Sequence, residues 1–483
     1  MKLRVPSILG TATLVAGLLG GCAGLGGKPL RAPTAPVAAA WQAPLPHGGA
    51  VAELTRWWAQ FDDPLLGRLV ESAQAVSPTL ASARARIEQA RATRAAATAA
   101  LWPSLDASLS AGRGRQDLSL PVGTSTGAGV QASWELDVFG RNRAGRDAAG
   151  ARLLGAEAAW HDARVVVAAE TAGAYIDLRA CQARLAQARI DAASRAETAR
   201  LTGLSTQSGF ESPLNASLSR ASAAQAQLNA KQQAELCERL VKALVALTAV
   251  AEPDLRAELA PAEARLPEPA ALAVPSVPAA ALAQRPDVLA RELDVVAASA
   301  DVAQADAARL PRVSLGGSIG VARFETGQGT LNGTTWSIGP VSVSLPIFDA
   351  GARRANAVAA RARYDEAASQ YAATLRGAIR DVESALLSLQ GTADRSADAR
   401  VAAEDFEAAV RATDARYRSG FGTLFELEEA RRNALVARNT LIDLRRERVA
   451  AWIALYRALG GGWAAPAEPN AGLEPSASLP GRP

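Results

Sequence analysis

The chain is poor in the residues from which catalytic and metal centres are built. Among its 483 residues are two histidines (His47 and His161), three cysteines and one methionine. A His-based triad or a His/Cys metal cluster has almost nothing to draw on. No Gly-rich phosphate loop stands between a strand and a helix, and no nucleophile elbow appears, so the chain is not read as an enzyme. An excess of one charge is also lacking. The 52 basic residues face 48 acidic ones with no basic block set apart, so nucleic acid is not an expected partner. Aromatic residues make up only 5%, which leaves small side chains to do most of the packing. Proline is missing from two long stretches, Arg141 to Ser208 and Ala352 to Ser419. Rich in Ala with interspersed Arg, Gln and Glu, each predicts one unbroken helix. At about 1.5 Å per residue, each reaches roughly 100 Å.

The apolar run from Ile8 to Leu19 is too short for a spanning helix. With Lys2 and Arg4 before it and small residues after it, 1–21 reads as an export signal. It ends Leu18-Leu19-Gly20-Gly21-Cys22, which resembles a bacterial lipobox. The resemblance implies cleavage after Gly21 and acylation of Cys22, and several acyl chains anchor a protein stably. Apart from that covalent lipid, no cofactor or metal is expected. Ala23 rather than Asp follows the cysteine, which by the same resemblance implies delivery to the outer membrane.

Residues 22–60 read as a lipid-anchored strap, rich in Pro, Gly and Ala and closing on Trp57-Trp58. The first repeat then occupies 61–250. Asp63-Pro64 starts one helix and Ser77-Pro78 a second, which Trp102-Pro103 stops. The period changes there. Leu105, Ala107, Leu109 and Ala111 alternate with Asp106, Ser108, Ser110 and Gly112, and Val130 to Val138 alternates likewise. Strands are predicted at about 104–113 and 129–139. The long helix follows, reverses at Gly209-Phe210, and returns from Pro213 to about Val250. A proline-dense linker fills 251–284. The second repeat, 285–460, has the same order, with strands at about 312–322 and 335–346 and a bend or bulge at Gly339-Pro340. Its helix reversal is Tyr417-Arg418-Ser419-Gly420-Phe421-Gly422-Thr423, and a tail covers 461–483. Landmarks of the two repeats (Pro78 and Pro286, Pro103 and Pro311, Phe139 and Phe348, Phe210 and Phe421) keep an offset of about 210 residues, which marks an internal duplication.

Four short strands cannot close a barrel, and only a closed barrel can sit in lipid, so the chain must assemble with copies of itself. Three copies supply twelve strands, within the range of membrane barrels. The expected fold is therefore mainly α with a small β part, in two tandem repeats. As a homotrimer it would build a twelve-stranded barrel continued by a twelve-helix tube.

The motifs carry a resemblance. They are the lipobox at Cys22; Trp57-Trp58 with Phe61-Asp62-Asp63-Pro64-Leu65; Arg285-Pro286-Asp287; Leu345-Pro346-Ile347-Phe348-Asp349-Ala350-Gly351; and Arg416-Tyr417-Arg418-Ser419-Gly420. Together they resemble the outer-membrane factor family of TolC-like channels, and within it the lipidated OprM/NodT-type members. The resemblance implies the exit duct of a tripartite efflux pump in the outer membrane of a Gram-negative bacterium. Its partners there are a periplasmic adaptor and an inner-membrane transporter, and its cargo is small molecules such as drugs. A protein-secretion duct and a structural lipoprotein without a channel are the alternatives.

The resemblance also places a gate. Glu426 and Glu429 match the acidic positions past the second reversal, and Tyr417 matches a tether. Spaced by three, the glutamates share a helix face and would form two charge rings in a trimer. A solvated face made of Glu426, Glu428 and Glu429 is the alternative. Gly422 stands where one family member has an arginine that pairs across the gate, so that lock is absent or differently built. Cys181 and Cys237 lie at equal distances on either side of Gly209, level with each other in a helical hairpin. In an oxidising periplasm, either a disulfide or two buried thiols fits this spacing.

Overall fold

The computed structural model describes residues 57–115, 122–269, 282 and 285–461. The signal segment, Cys22, most of the strap, much of the linker and the tail from residue 462 lie outside the described residues. A short helical turn carrying Trp57 and Trp58 leads into α1 (Pro64–Val76) and α2 (Pro78–Ala99). Next come β1 (Ser104–Gly114), β2 (Gly123–Leu136), α3 (Arg141–Gln207), α4 (Pro213–Thr248) and α5 (Glu252–Leu259). The second repeat runs α6 (Pro286–Ala307), β3 (Arg312–Thr326), β4 (Gly329–Ser344), α7 (Ala352–Arg418) and α8 (Leu424–Ala458). The two long helices α3 and α7 have 67 residues each.

Each long helix starts on an aspartate set just past a strand. Asp137 accepts from the backbone N–H of Asn142 (3.0 Å) and Arg143 (2.8 Å). Asp349 accepts from Gly351 N (3.0 Å) and Arg353 N (3.2 Å). These are the donors a helix N-terminus leaves without intrahelical partners. The Arg353 amide, followed by that of Gly351, holds the Asp349 carboxyl below its usual range.

Two features depart from the sequence reading. Strands β2, β3 and β4 are longer than the alternation indicates, because Gly123–Ala128, Arg323–Thr326 and Gly329–Thr334 belong to them as well. Apart from the single cross-strand pair Phe324 and Leu331, those ends carry small or polar residues, too few apolar positions for period-two patterning to mark. The linker is not wholly extended either. It contains α5, whose Leu255 and Leu259 are buried. Its Pro253 falls in the first turn, where the missing N–H costs nothing.

The chain divides into two compact units, and α3 and α7 give residues to both. One unit, drawn from Ala83–Ala158 and Leu289–Thr374, holds the sheet. Its order is β1-β2-β3-β4, all antiparallel, so β1 and β4 are unpaired edges. The register sorts the faces. Leu105 pairs with Ala132, Val130 with Ile319 and Ile319 with Trp336, while Leu315 pairs with Val341. All lie on one face, whose large side chains are bare: Leu109 is 86% exposed, Trp336 71% and Ile338 88%. The other face is polar, with hydroxyl pairs Ser314–Ser342 (2.7 Å) and Ser318–Ser337 (2.9 Å). A register shift between Leu315 and Gly317 lies opposite the Gly339-Pro340 step. An exposed apolar face of this extent is a contact surface waiting for lipid or protein.

The other unit takes its described residues from 57–82, 159–288 and 375–461 and has an ordinary core. Trp57 packs on Tyr456 (5.2 Å between rings) and Trp452 (6.3 Å), joined by Leu66, Leu69, Ile176, Leu244, Leu255 and Leu386. A buried polar cluster ties the start of α1 and the end of α5 to α3. Tyr175 donates to Asp63 Oδ2 (2.5 Å), which also caps α1 through its other oxygen. Arg179 donates to the Tyr175 hydroxyl (2.9 Å) and to the Leu259 carbonyl at the end of α5 (2.9 Å). Burial, reinforced by the bond to Asp63, pushes the Tyr175 phenol up, so it stays a donor. Among the described residues no group of His, Cys, Asp and Glu could hold a metal, and no helix is long and apolar enough to cross a membrane.

Candidate gate at the helix reversals

Both reversals are the same backbone object. At the first, Phe210 N donates to Ser205 O (2.9 Å) and Gly209 N to Thr206 O (3.1 Å). At the second, Phe421 N donates to Arg416 O (2.8 Å) and Gly420 N to Tyr417 O (3.1 Å). Each is a Schellman ending with glycine in the left-handed region, at φ 78° for Gly209 and 79° for Gly420. The phenylalanine after each glycine is exposed. Gly422 has a separate reason to be glycine. A Cβ there would come within 3.1 Å of Tyr417 N and 3.2 Å of Arg416 Cβ. The close fold-back of the turn leaves no room for a longer side chain without rearrangement.

The residues singled out from the sequence occupy different situations. The Tyr417 hydroxyl lies 3.0 Å from Thr202 Oγ1, linking α7 to α3. Glu426 closes a capping box at the start of α8: Thr423 N donates to its Oε2 (3.1 Å), and Glu426 N donates to Thr423 Oγ1 (3.2 Å). Glu429, one turn on, is exposed. Glu426 therefore has a structural task that Glu429 lacks.

Glu428 carries the largest set of contacts, though the sequence offered it only as part of a solvated face. Its carboxylate receives Arg195, Ser222 Oγ (2.5 Å) and Arg431 Nη1 (3.2 Å). Arg195 also holds Asp191 (2.9 Å). Arg431 reaches Thr198 Oγ1 (2.9 Å) and Asp414 (3.4 Å), and Asp414 pairs with Arg418 (2.7 Å). This network joins α3, α4, α7 and α8 just behind the reversals. Its middle is dry, with side chains 6% exposed at Arg431, 14% at Arg195 and 16% at Glu428. The local spacings Asp191/Arg195, Asp414/Arg418 and Glu428/Arg431 are visible in the sequence. The links between the two hairpins span more than 200 residues and are not. Further along the first hairpin, Cys181 and Cys237 form a disulfide with Cα atoms 5.6 Å apart, joining α3 to α4. Gly391 and Thr392 of α7 stand about one repeat, roughly 210 residues, from Cys181, so the second hairpin has no counterpart.

Paired helical hairpins and a one-sidedly apolar sheet with open edges define a class of membrane-sheet proteins with helical extensions. Within it, the chain belongs to the outer membrane efflux protein family, whose model matches residues 69–251 and 277–461, one stretch for each repeat. It is 31% identical to outer membrane protein OprJ of Pseudomonas aeruginosa, over 95% of this chain and 97% of that protein. It is 30% identical to the toluene efflux pump outer membrane protein TtgI of Pseudomonas putida, over 92% and 96% of the two chains. Its fold is similar to that of the outer-membrane channel OprN, with a TM-score of 0.80 at 28% identity, covering 90% of this chain and 99% of that one.

Proposed function

We propose that the protein is the outer-membrane exit duct of an efflux pump for small apolar or drug-like molecules. The observation that carries this is the sheet, whose apolar face is bare and whose two edges are unpaired. Backbone groups of an open edge cannot be left in lipid, so three chains closing a twelve-stranded barrel is the arrangement that satisfies them. The relatives' names, a toluene efflux pump component among them, support small molecules as cargo. The chain would be held additionally by acyl groups on Cys22. The exposed Phe210 and Phe421 at the reversals suit docking of a periplasmic adaptor, which would connect the duct to an inner-membrane transporter.

In this reading the reversal of α7 into α8 lies at the periplasmic mouth. Tyr417–Thr202 and the Glu428 network act as a latch between the two hairpins, and Glu429 supplies a ring of charge. Purified protein in a planar bilayer should conduct as a trimer. Glu429→Ala should weaken divalent-cation block and reduce cation selectivity without loss of stability. Glu426→Ala should have a smaller effect on block and cost about 1 kcal/mol of helix stability through the lost cap. Block unchanged by Glu429→Ala would leave that residue a surface charge, and a monomer without conductance would remove the channel reading.

A further inference from the structure

The bare apolar face of the sheet changes character along its length. From Val313 to Val321 on β3, with Val343 to Trp336 beside it on β4, the face is apolar. At about 3.3 Å per residue and the usual strand tilt, that stretch covers roughly 20 Å of membrane depth. One step beyond it, on the same face, stand Thr126, Arg323 and Asn332, cross-strand neighbours in register. A rung further, Arg113 pairs with Thr124, whose other neighbour is Glu325. Arg113 and Arg323 are exposed, and Arg323 touches Glu325 at 3.3 Å. The opposite end of this face continues apolar through Leu136, Val313 and Val343, with no cation among them.

At the change of character the face holds a shallow depression of about 520 Å³. Leu109 and Val321 line its apolar side, and Thr126, Arg323, Asn332 and Thr334 line its polar side. An apolar floor continued by a guanidinium and an amide matches a lipid whose acyl chain lies along the sheet below a phosphate headgroup. Guanidinium binds phosphate oxygens through parallel N–H donors, a geometry ammonium lacks.

We propose that this depression, with Arg323 and the nearby Arg113, is a binding site for a phosphate-bearing lipid of the outer leaflet. The site rests on the outer-membrane reading above, because that reading puts the hairpin end of the sheet, away from the helices, at the outer surface. The occupant is the membrane lipid itself rather than free phosphate, since the apolar half of the depression has no role for an inorganic ion. Glu325 draws on the same guanidinium and tempers its charge.

The test uses the full-length protein reconstituted in phosphatidylcholine vesicles that contain purified lipopolysaccharide, either intact or with its phosphates enzymatically removed. Lipid retained through detergent extraction is measured by native mass spectrometry, and conductance is recorded on the same preparations. Wild type should keep the intact glycolipid over the dephosphorylated one. Arg113→Gln/Arg323→Gln should retain about tenfold less, the weight of one charge-assisted hydrogen bond, while conducting normally. Arg113→Lys/Arg323→Lys should fall between, and millimolar inorganic phosphate should not displace the lipid. Equal retention of both lipids by wild type overturns the site without recourse to any variant. So does retention unaffected by the double Gln change, or displacement by free phosphate. If conductance persists in those cases, the channel reading stands alone; a wild-type protein that neither inserts nor conducts removes both.

Discussion

Arg431→Ala should shift the open-to-closed ratio of the reconstituted protein by about 100-fold toward open. Arg431 makes three hydrogen bonds from a buried charged group, and at about 1.5 kcal/mol or more for each such bond, offset in part by the partners that remain, its loss costs about 3 kcal/mol. Here Glu428 and Asp414, one on each helix of the second hairpin, would each lose a partner while keeping Arg195 and Arg418, and the Thr198 hydroxyl on α3 would lose its buried donor. The contact to Thr198 joins the two hairpins and the contact to Asp414 joins the two helices of the second, so the loss falls on the packing between the hairpins and on the second hairpin itself. The effect should appear as a raised single-channel conductance without added cation. Arg432→Ala is the control: it alters the same helix at the next position, but Arg432 is exposed. Equal conductance of the two variants would reduce the network to a local structural role.

The second large effect is on stability. Cys181→Ser/Cys237→Ser should lower the unfolding free energy of the helical unit by about 4 kcal/mol, the loop-closure value for the 56-residue separation. Urea titrations of wild type with and without reductant should differ by that amount, and the double variant should not respond to reductant. Loosening should be confined to the first hairpin, since the bond joins only α3 and α4. Hydrogen exchange along α3 and α4 against α7 and α8 separates this from a global loss, and equal acceleration in all four helices would contradict it.

Much of the architecture could be read from the sequence, because its signals are local. The glycines of the two reversals, Gly209 and Gly420, bounded the ends of the long helices to within about a residue, and the absence of proline marked them as unbroken. The duplication followed from repeated Gly-Phe and Pro landmarks. What escaped has physical causes. The outer ends of the strands carry no apolar alternation, because neither of their faces meets a core. The short α5 was hidden by the prolines around it, although Pro253 is itself a helix-start signal. The tip network escaped for a different reason. Glu426, Glu428 and Glu429 look equivalent in a row, and which one is buried depends on Arg195 and Ser222, two helices away. Gly422 could be seen as a departure from the family pattern, but the cause, a turn folded against Tyr417 N, needed coordinates.

The unpaired edges of β1 and β4 carry a consequence for the cell that makes the protein. The proposed ring, closed by three identical chains, is only as sound as its worst member. A single chain with one edge blocked, for example by a proline in β1, would spoil every ring it joins. Expressed at equal amounts beside the normal chain, it would leave about one ring in eight intact if chains mix at random. The gene would then behave as dominant under partial damage, and the number of intact rings would fall far more steeply than the dose of defective copies.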